Sequence, residues 1–280
     1  MVHPNTAAWS TQTPQRGPPK HRSVVHPNTA AWSIQTPQRG PTNQQHLGPF
    51  PRTGEKPFPM SFDPYNHPEI LRSLYQEILS QRQQYPTVYS LLSAMSQQLW
   101  EAVQACNPRV VFELRSFLPA FQGHTDEEVM QRLEKITLVD CQWVIAKEYG
   151  YGNWTEAEKQ GQGTFHWNFE AAVDAFLDGE KEKLQQLLED SPSLLSMRSP
   201  FWHRAGLIHY VGTNGVEMWR QYVGPRFVEM TKVLLDAGAD PDMSHHIYGG
   251  NGDLVGLIAT SAHPQEAGIV EELIRVVKSC

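Results

Sequence analysis

The chain has 280 residues, 40% of them hydrophobic, which is enough for one or two domains with a sizeable core. Its formal charge of −7 is unevenly placed: residues 1–59 hold six Lys/Arg against one Glu, whereas residues 60–280 hold 17 basic against 29 acidic side chains. An acidic body speaks against nucleic acid as a partner, and three widely spaced cysteines, Cys106, Cys141 and Cys280, fit a reducing compartment rather than a disulfide framework or a zinc site.

No apolar run reaches the roughly 18 residues of a membrane-spanning helix, and the N-terminus lacks an apolar signal core. The expectation is a cytoplasmic protein with no membrane partner. Residues 2–18, V-H-P-N-T-A-A-W-S-T-Q-T-P-Q-R-G-P, recur at 25–41 with Ile34 in place of Thr11, a period of 23 residues. Rich in Pro, Gln, Thr and Gly, residues 1–59 are expected to be a disordered tail. The duplication reads as a short motif shown twice with Trp9 and Trp32 as anchors, or as an upstream extension with Met60 as the working start.

Residues 60–160 read as a helical region. Ile70, Leu71, Leu74, Tyr75 and Ile78 give residues 69–83 one apolar side, and Leu91, Leu92, Met95, Leu99, Trp100 and Val103 do the same for 88–106 before Asn107-Pro108 breaks the helix. A third helix follows over 109–118. Thr125 with Glu128 has capping-box spacing and starts a helix through Val129, Leu133 and Ile136. The string L-V-D-C-Q-W-V-I-A-K-E-Y-G-Y-G-N-W at 138–154 places Val139, Trp143, Ala146 and Tyr149 near one helical face, with Gly150 as cap and Trp154 folding back.

From 165 onward the pattern becomes helix, turn, helix. Residues 168–178 and 181–189 pair around Gly179, and D-S-P-S-L-L ends the unit. A second unit opens on G-L-I-H at 206–209 and carries an insertion, E-M-W-R-Q-Y-V-G-P, at 217–225. The helix at 227–236 follows, with Val228, Met230, Thr231, Val233, Leu234 and Leu235 on one face. It closes on Gly238, a residue suited to the left-handed cap, and exits through A-D-P-D. In the third unit Y-G-G-N-G-D at 248–253 is expected to be a finger loop, followed by helices over 254–260 and 267–278 with a turn at Ser261-Ala262-His263-Pro264 between them.

The helix ending in G-A-D-P-D resembles the second helix and exit turn of an ankyrin repeat, and G-L-I-H lies over the T-P-L-H start of such a repeat. The 138–154 string resembles a D-A-Q-x-V-I-A-R-E-Y-G-F-x-S-W segment that precedes the repeats in a group of bacterial ankyrin-repeat proteins. The resemblance covers residues 95–280. It implies an all-α, ankyrin-type α-solenoid of stacked helix pairs, with a disordered tail (1–59), a divergent helical region (60–160) and about three repeats (165–280), the last one truncated. It also implies that His209 ties neighbouring loops together by hydrogen bonds.

Such an architecture implies a monomeric, non-enzymatic scaffold that needs no cofactor and binds a protein partner on its finger and first-helix surface. The residues assigned to that surface are His203, Arg204, Tyr210, Asn214, Trp219, Arg220, Tyr222, Tyr248 and Asn251; Trp, Tyr and Arg are the types that most often anchor interfaces. A second reading places a small-ligand or metal site on His245, His246 and His263 with Asp242 and Asp253. Against it, no H-E-x-x-H or C-x-x-C spacing is present, and no phosphate loop or nucleophile elbow is found.

Overall fold

The computed structural model describes residues 67–250 and 252–279. Among them there is no β-strand: the chain is helical, with two isolated bridges, Thr87 to Thr164 and Arg198 to Gly206. The duplicated tail with Trp9 and Trp32 lies outside the described residues.

The first helices are α1 (His67–Leu74), α2 (Gln76–Ser80), α3 (Val88–Gln104), α4 (Val111–Phe117), α5 (Asp126–Met130), α6 (Leu138–Glu148) and α7 (Trp154–Gln160). Where one helix is expected over 69–83, the chain breaks at Tyr75, whose backbone leaves helical values at φ −104° and ψ 17°. The break turns the buried Tyr75 ring inward, and its hydroxyl donates to Glu113 Oε2 at 2.6 Å. Capping boxes start α3 at Thr87, α5 at Thr125 and α6 at Thr137, each satisfying backbone N–H groups that the first turn leaves open. The helix expected to run from Thr125 through Ile136 is cut short at Met130, and a separate 3-10 turn covers Leu133–Lys135.

α6 packs on α3 and α4. Its inward residues are Cys141, Val144, Ile145 and Ala146, while Val139 is 71% exposed, so the face expected from the sequence is rotated. Gly150 closes α6 with φ +80°, and Trp154 stacks at a tilt on Tyr89 with ring centroids 5.5 Å apart.

From residue 167 the chain forms consecutive helix pairs. α8 (Trp167–Leu177) packs on α9 (Lys181–Asp190); the 3-10 helix Leu207–Gly212 is followed by α10 (Phe227–Asp236); α11 (Leu254–Thr260) is followed by α12 (Ala262–Glu266) and α13 (Val270–Lys278). The first members stack in the order α8, Leu207–Gly212, α11, and the second members in the order α9, α10, α13. The Leu207–Gly212 segment is a tight 3-10 helix, and Thr213 ends it in the left-handed conformation (φ 45°). Thr213 is buried there, with its hydroxyl 3.1 Å from that of Ser261. The turn expected at 261–264 is helical: Pro264 is the third residue of α12, where a missing N–H costs nothing.

Two apolar clusters result. One joins α1 to α7 and recruits Phe201 and Trp219 from further along the chain; the other fills the helix pairs from Phe169 to Val277. α1 also reaches across the inter-helix turns of all three pairs. Arg72 lies 3.6 Å from Asp178 in the first, its guanidinium stands 3.9 Å over the Tyr222 ring in the second, and the His67 ring is 5.3 Å from that of His263 in the third.

Candidate functional site

The insertion before α10 folds inward. Met218–Arg220 makes one 3-10 turn, against which α1 packs, and this turn drives Trp219 and Arg220 into the molecule. Arg220 is 1% exposed. Its Nη1 donates to Glu170 Oε2 at 2.7 Å and to Glu217 Oε1 at 3.2 Å, and its Nη2 and Nε donate to Asp174 Oδ1 at 2.7 and 3.1 Å. Arg82 pairs with the other oxygen of Asp174, and the Trp219 ring lies 4.3 Å from the Arg220 guanidinium carbon.

Three carboxylates thus share two guanidinium groups, with Arg220, Glu170 and Glu217 out of contact with water and Arg82 and Asp174 partly exposed. Burial works against the charge on Arg220, but Asp174, Glu170 and Glu217 outweigh it and raise its pKa further. For Glu217, burial is overcome by Arg220 and His203, which hold the carboxyl at about 2. Asp174 is likewise lowered: its burial is outweighed by Arg220 and Arg82. Glu170 moves the other way because burial and the neighbouring Glu217 exceed its share of Arg220.

Tyr210 and His203 complete the cluster. The Tyr210 hydroxyl donates to Glu217, 3.1 Å from Oε2 and 3.2 Å from Oε1. His203 Nδ1 accepts from the Ala205 N–H at 3.0 Å, which leaves the proton on Nε2, 3.5 Å from Glu217 Oε2. Four of the residues assigned to a partner surface, His203, Tyr210, Trp219 and Arg220, are therefore buried. The correction has a physical cause: Glu170, Asp174 and Glu217 offer Arg220 a complete set of acceptors inside, and the Trp219 ring follows it into the first apolar cluster. Tyr222 is half-buried, its hydroxyl bonded to Asp178 and its ring covered by Arg72.

Arg204, Asn214 and Tyr248 lie elsewhere, where loops project as fingers. Finger one runs through 197–206: Ser199 N–H donates to Ala205 O at 2.8 Å, and Arg204 takes a left-handed φ of 51° at its exposed tip. Finger two includes residues 240–250 and exposes Tyr248 by 61%, its hydroxyl bonded to Asn214. Asn251 lies outside the described residues. The fingers are tied together. His246 N–H donates to His203 O at 3.0 Å, Arg198 bonds both the carbonyl and the hydroxyl of Ser244, and His209, fully buried, bridges them. His209 Nδ1 accepts from Gly206 N–H, and its Nε2 faces Met243 O, each at 2.8 Å.

Set against protein-family models, curated proteins and solved structures, the chain matches none.

The finger side also exposes Trp202, at 46%, beside the Tyr151 ring and over Gly150. An added Cβ at Gly150 would stand 2.7 Å from Trp202, so this glycine serves both the cap of α6 and the seat of the indole. Trp202 is absent from the assigned set, although a P-F-W-H string between two turn signals is a sequence cue for a displayed aromatic.

A shallow depression of about 320 Å³ within finger two is lined by Asp242, His245 and Asp253 together with Pro241, Met243, Ser244 and Gly252. The ligand set drawn from His245, His246, His263, Asp242 and Asp253 does not assemble there, because His263 packs on His67 on the other side. Among the described residues no group of three His, Cys, Asp or Glu side chains is placed to hold a metal ion. Also among the described residues, no helix is long and apolar enough to cross a membrane.

Proposed function

We propose that this chain is a monomeric, cytoplasmic, ankyrin-type scaffold that carries out no chemistry and binds a protein partner through its finger side. The observation that carries the reading is His209. Buried at the start of its unit, it holds its own loop through Gly206 and the next loop through Met243, the role the resemblance gives to the histidine of T-P-L-H. The stacking of three successive helix pairs supports the same reading, as does the exit of α10 through Gly238 at φ +93°.

The contact surface in this proposal is Trp202, Arg204 and Tyr248, with Asn214 behind them. These are aromatic and arginine side chains, the types that supply most interface energy, held on loops that His209 and Arg198 keep in register. Protein capture from the native organism with the full chain, compared with the W202A/R204A/Y248A variant, tests it. The variant should melt like the native chain and lose the captured protein. Equal capture by the two chains would remove the finger side as the contact.

A further inference from the structure

Glu113 and Glu148 form a second buried acidic site, separate from the Arg220 cluster and without a cation. Glu113, in the first turn of α4, is 0% exposed. One of its oxygens takes the Tyr75 hydroxyl at 2.6 Å; the other, and both oxygens of Glu148, are buried with no hydrogen-bond donor from any described residue other than the two carboxyl groups themselves. Glu148 is the last residue of α6, at the negative end of that helix, where the macrodipole disfavours an anion. The packing of α4 on α6 sets the two carboxyl groups within reach of each other's charge. Two carboxylates cannot hydrogen-bond, since neither has a donor. One proton between them supplies the missing donor.

We infer that Glu113 and Glu148 share a proton at neutral pH, and that its loss to solvent base drives the two side chains apart and loosens α4 from α6. No arginine, lysine or histidine among the described residues forms an ion pair with either. Facing the pair are Tyr75 from the α1–α2 break, Cys141 from α6 and Tyr149 just after it, all neutral; α3 contributes Met95, which accepts from the Tyr149 hydroxyl at 3.4 Å, while its Glu101 points to solvent. On α4 itself Arg115 is engaged with Asp126 of α5. α1 brings the His67 ring, stacked 5.4 Å from Phe112, and Glu217 adds a more distant negative charge felt at Tyr149.

The energetics point the same way. Burial pushes the Glu113 carboxyl up to about 7, against the lowering effect of its bonds to Glu148 and Tyr75. Burial, and then the charge of Glu113, raise Glu148 well above the carboxyl range. A carboxyl whose folded pKa exceeds its unfolded value of about 4.3 keeps a proton that the unfolded chain releases, so stability falls as pH rises between the two values. The site is therefore most stable in acid and weakens as pH rises to neutrality and beyond. Tyr149 follows Glu148 directly and its ring lies 5.5 Å from Phe201, so the loosening reaches the base of the finger that shows Trp202. The proton itself is independent of whether that finger binds a partner.

Isotope-edited infrared spectroscopy of the full chain at neutral pH should show a protonated-carboxyl band, and Glu148→Gln should abolish it. The glutamine amide can donate to Glu113 in the proton's place. In urea unfolding, the midpoint of Glu148→Gln should gain on the native midpoint as pH rises from about 5 to about 8, and the surface control Glu189→Gln should follow the native curve. Absence of the band, or parallel curves for native and Glu148→Gln, would overturn the inference. If Glu148→Gln does not fold, the band in the native chain decides alone.

Discussion

Arg220 shows how far a residue's role can lie from its appearance in the sequence. Between Trp219 and Tyr222 it reads as an interface anchor, yet its acceptors Glu170 and Asp174 sit 50 and 46 residues earlier, a separation that no local pattern reports. Removing one partner of a buried charge network strands the others, at about 3–5 kcal/mol. Arg220→Met should therefore lower the unfolding free energy by about that amount, as urea titration would show, with little dependence on salt because Arg220, Glu170 and Glu217 are out of solvent. Gly224 is a quieter case. A Cβ there would stand 1.5 Å from the Leu177 carbonyl oxygen, so Gly224→Ala forces the insertion off the end of α8. Its cost should exceed the roughly 0.5 kcal/mol of an ordinary surface change, measurable in the same titration.

At the scale of elements, the sequence was most legible where one helix face and its cap are both local. α10 runs over the residues that its apolar spacing and Gly238 predict, and the capping boxes at Thr125 and Thr137 start α5 and α6. It was least legible where a distant group overrides local preference. Glu113 draws Tyr75 out of a helix that the spacing alone would continue, and the left-handed Thr213 stops the first helix of the second unit after six residues. The finger loops were visible as turn signals, but their mutual ties were not, apart from His209, whose place in the repeat pattern foretold its hydrogen bonds. His209→Ala leaves the Gly206 N–H and the Met243 carbonyl unpaired and should cost about 1–3 kcal/mol for each. Amide exchange should then quicken at residues 203–206 and 243–246 ahead of α10 and α13, and uniform exchange across these segments would contradict the proposed bridging role.

For the whole molecule, the buried histidines and the Glu113–Glu148 pair respond to pH in opposite senses. Burial lowers His209 to about 4, and burial with the nearby His67 lowers His263 to about 4. Each binds its proton in the unfolded chain first, so stability is lost as pH falls from about 6.5. Glu217, held at about 2, adds a further loss as pH falls below its unfolded value of about 4.3. The Glu113–Glu148 pair gains in acid what the histidines lose. Urea midpoints should accordingly form a plateau over about pH 4.5 to 6.5, and Glu148→Gln should turn it into a slope rising with pH; a steep native curve over that window would show that the terms do not balance. α1 gives the same assembly its mechanics. A stack of helix pairs held only between neighbours bends and twists like a spring, because small rotations accumulate from pair to pair. A helix fastened at Asp178, Tyr222 and His263 lies along that spring as a splint. The spacing of the three pairs is then held from outside as well as by their own contacts, so the finger loops of the proposed scaffold stand at a set pitch.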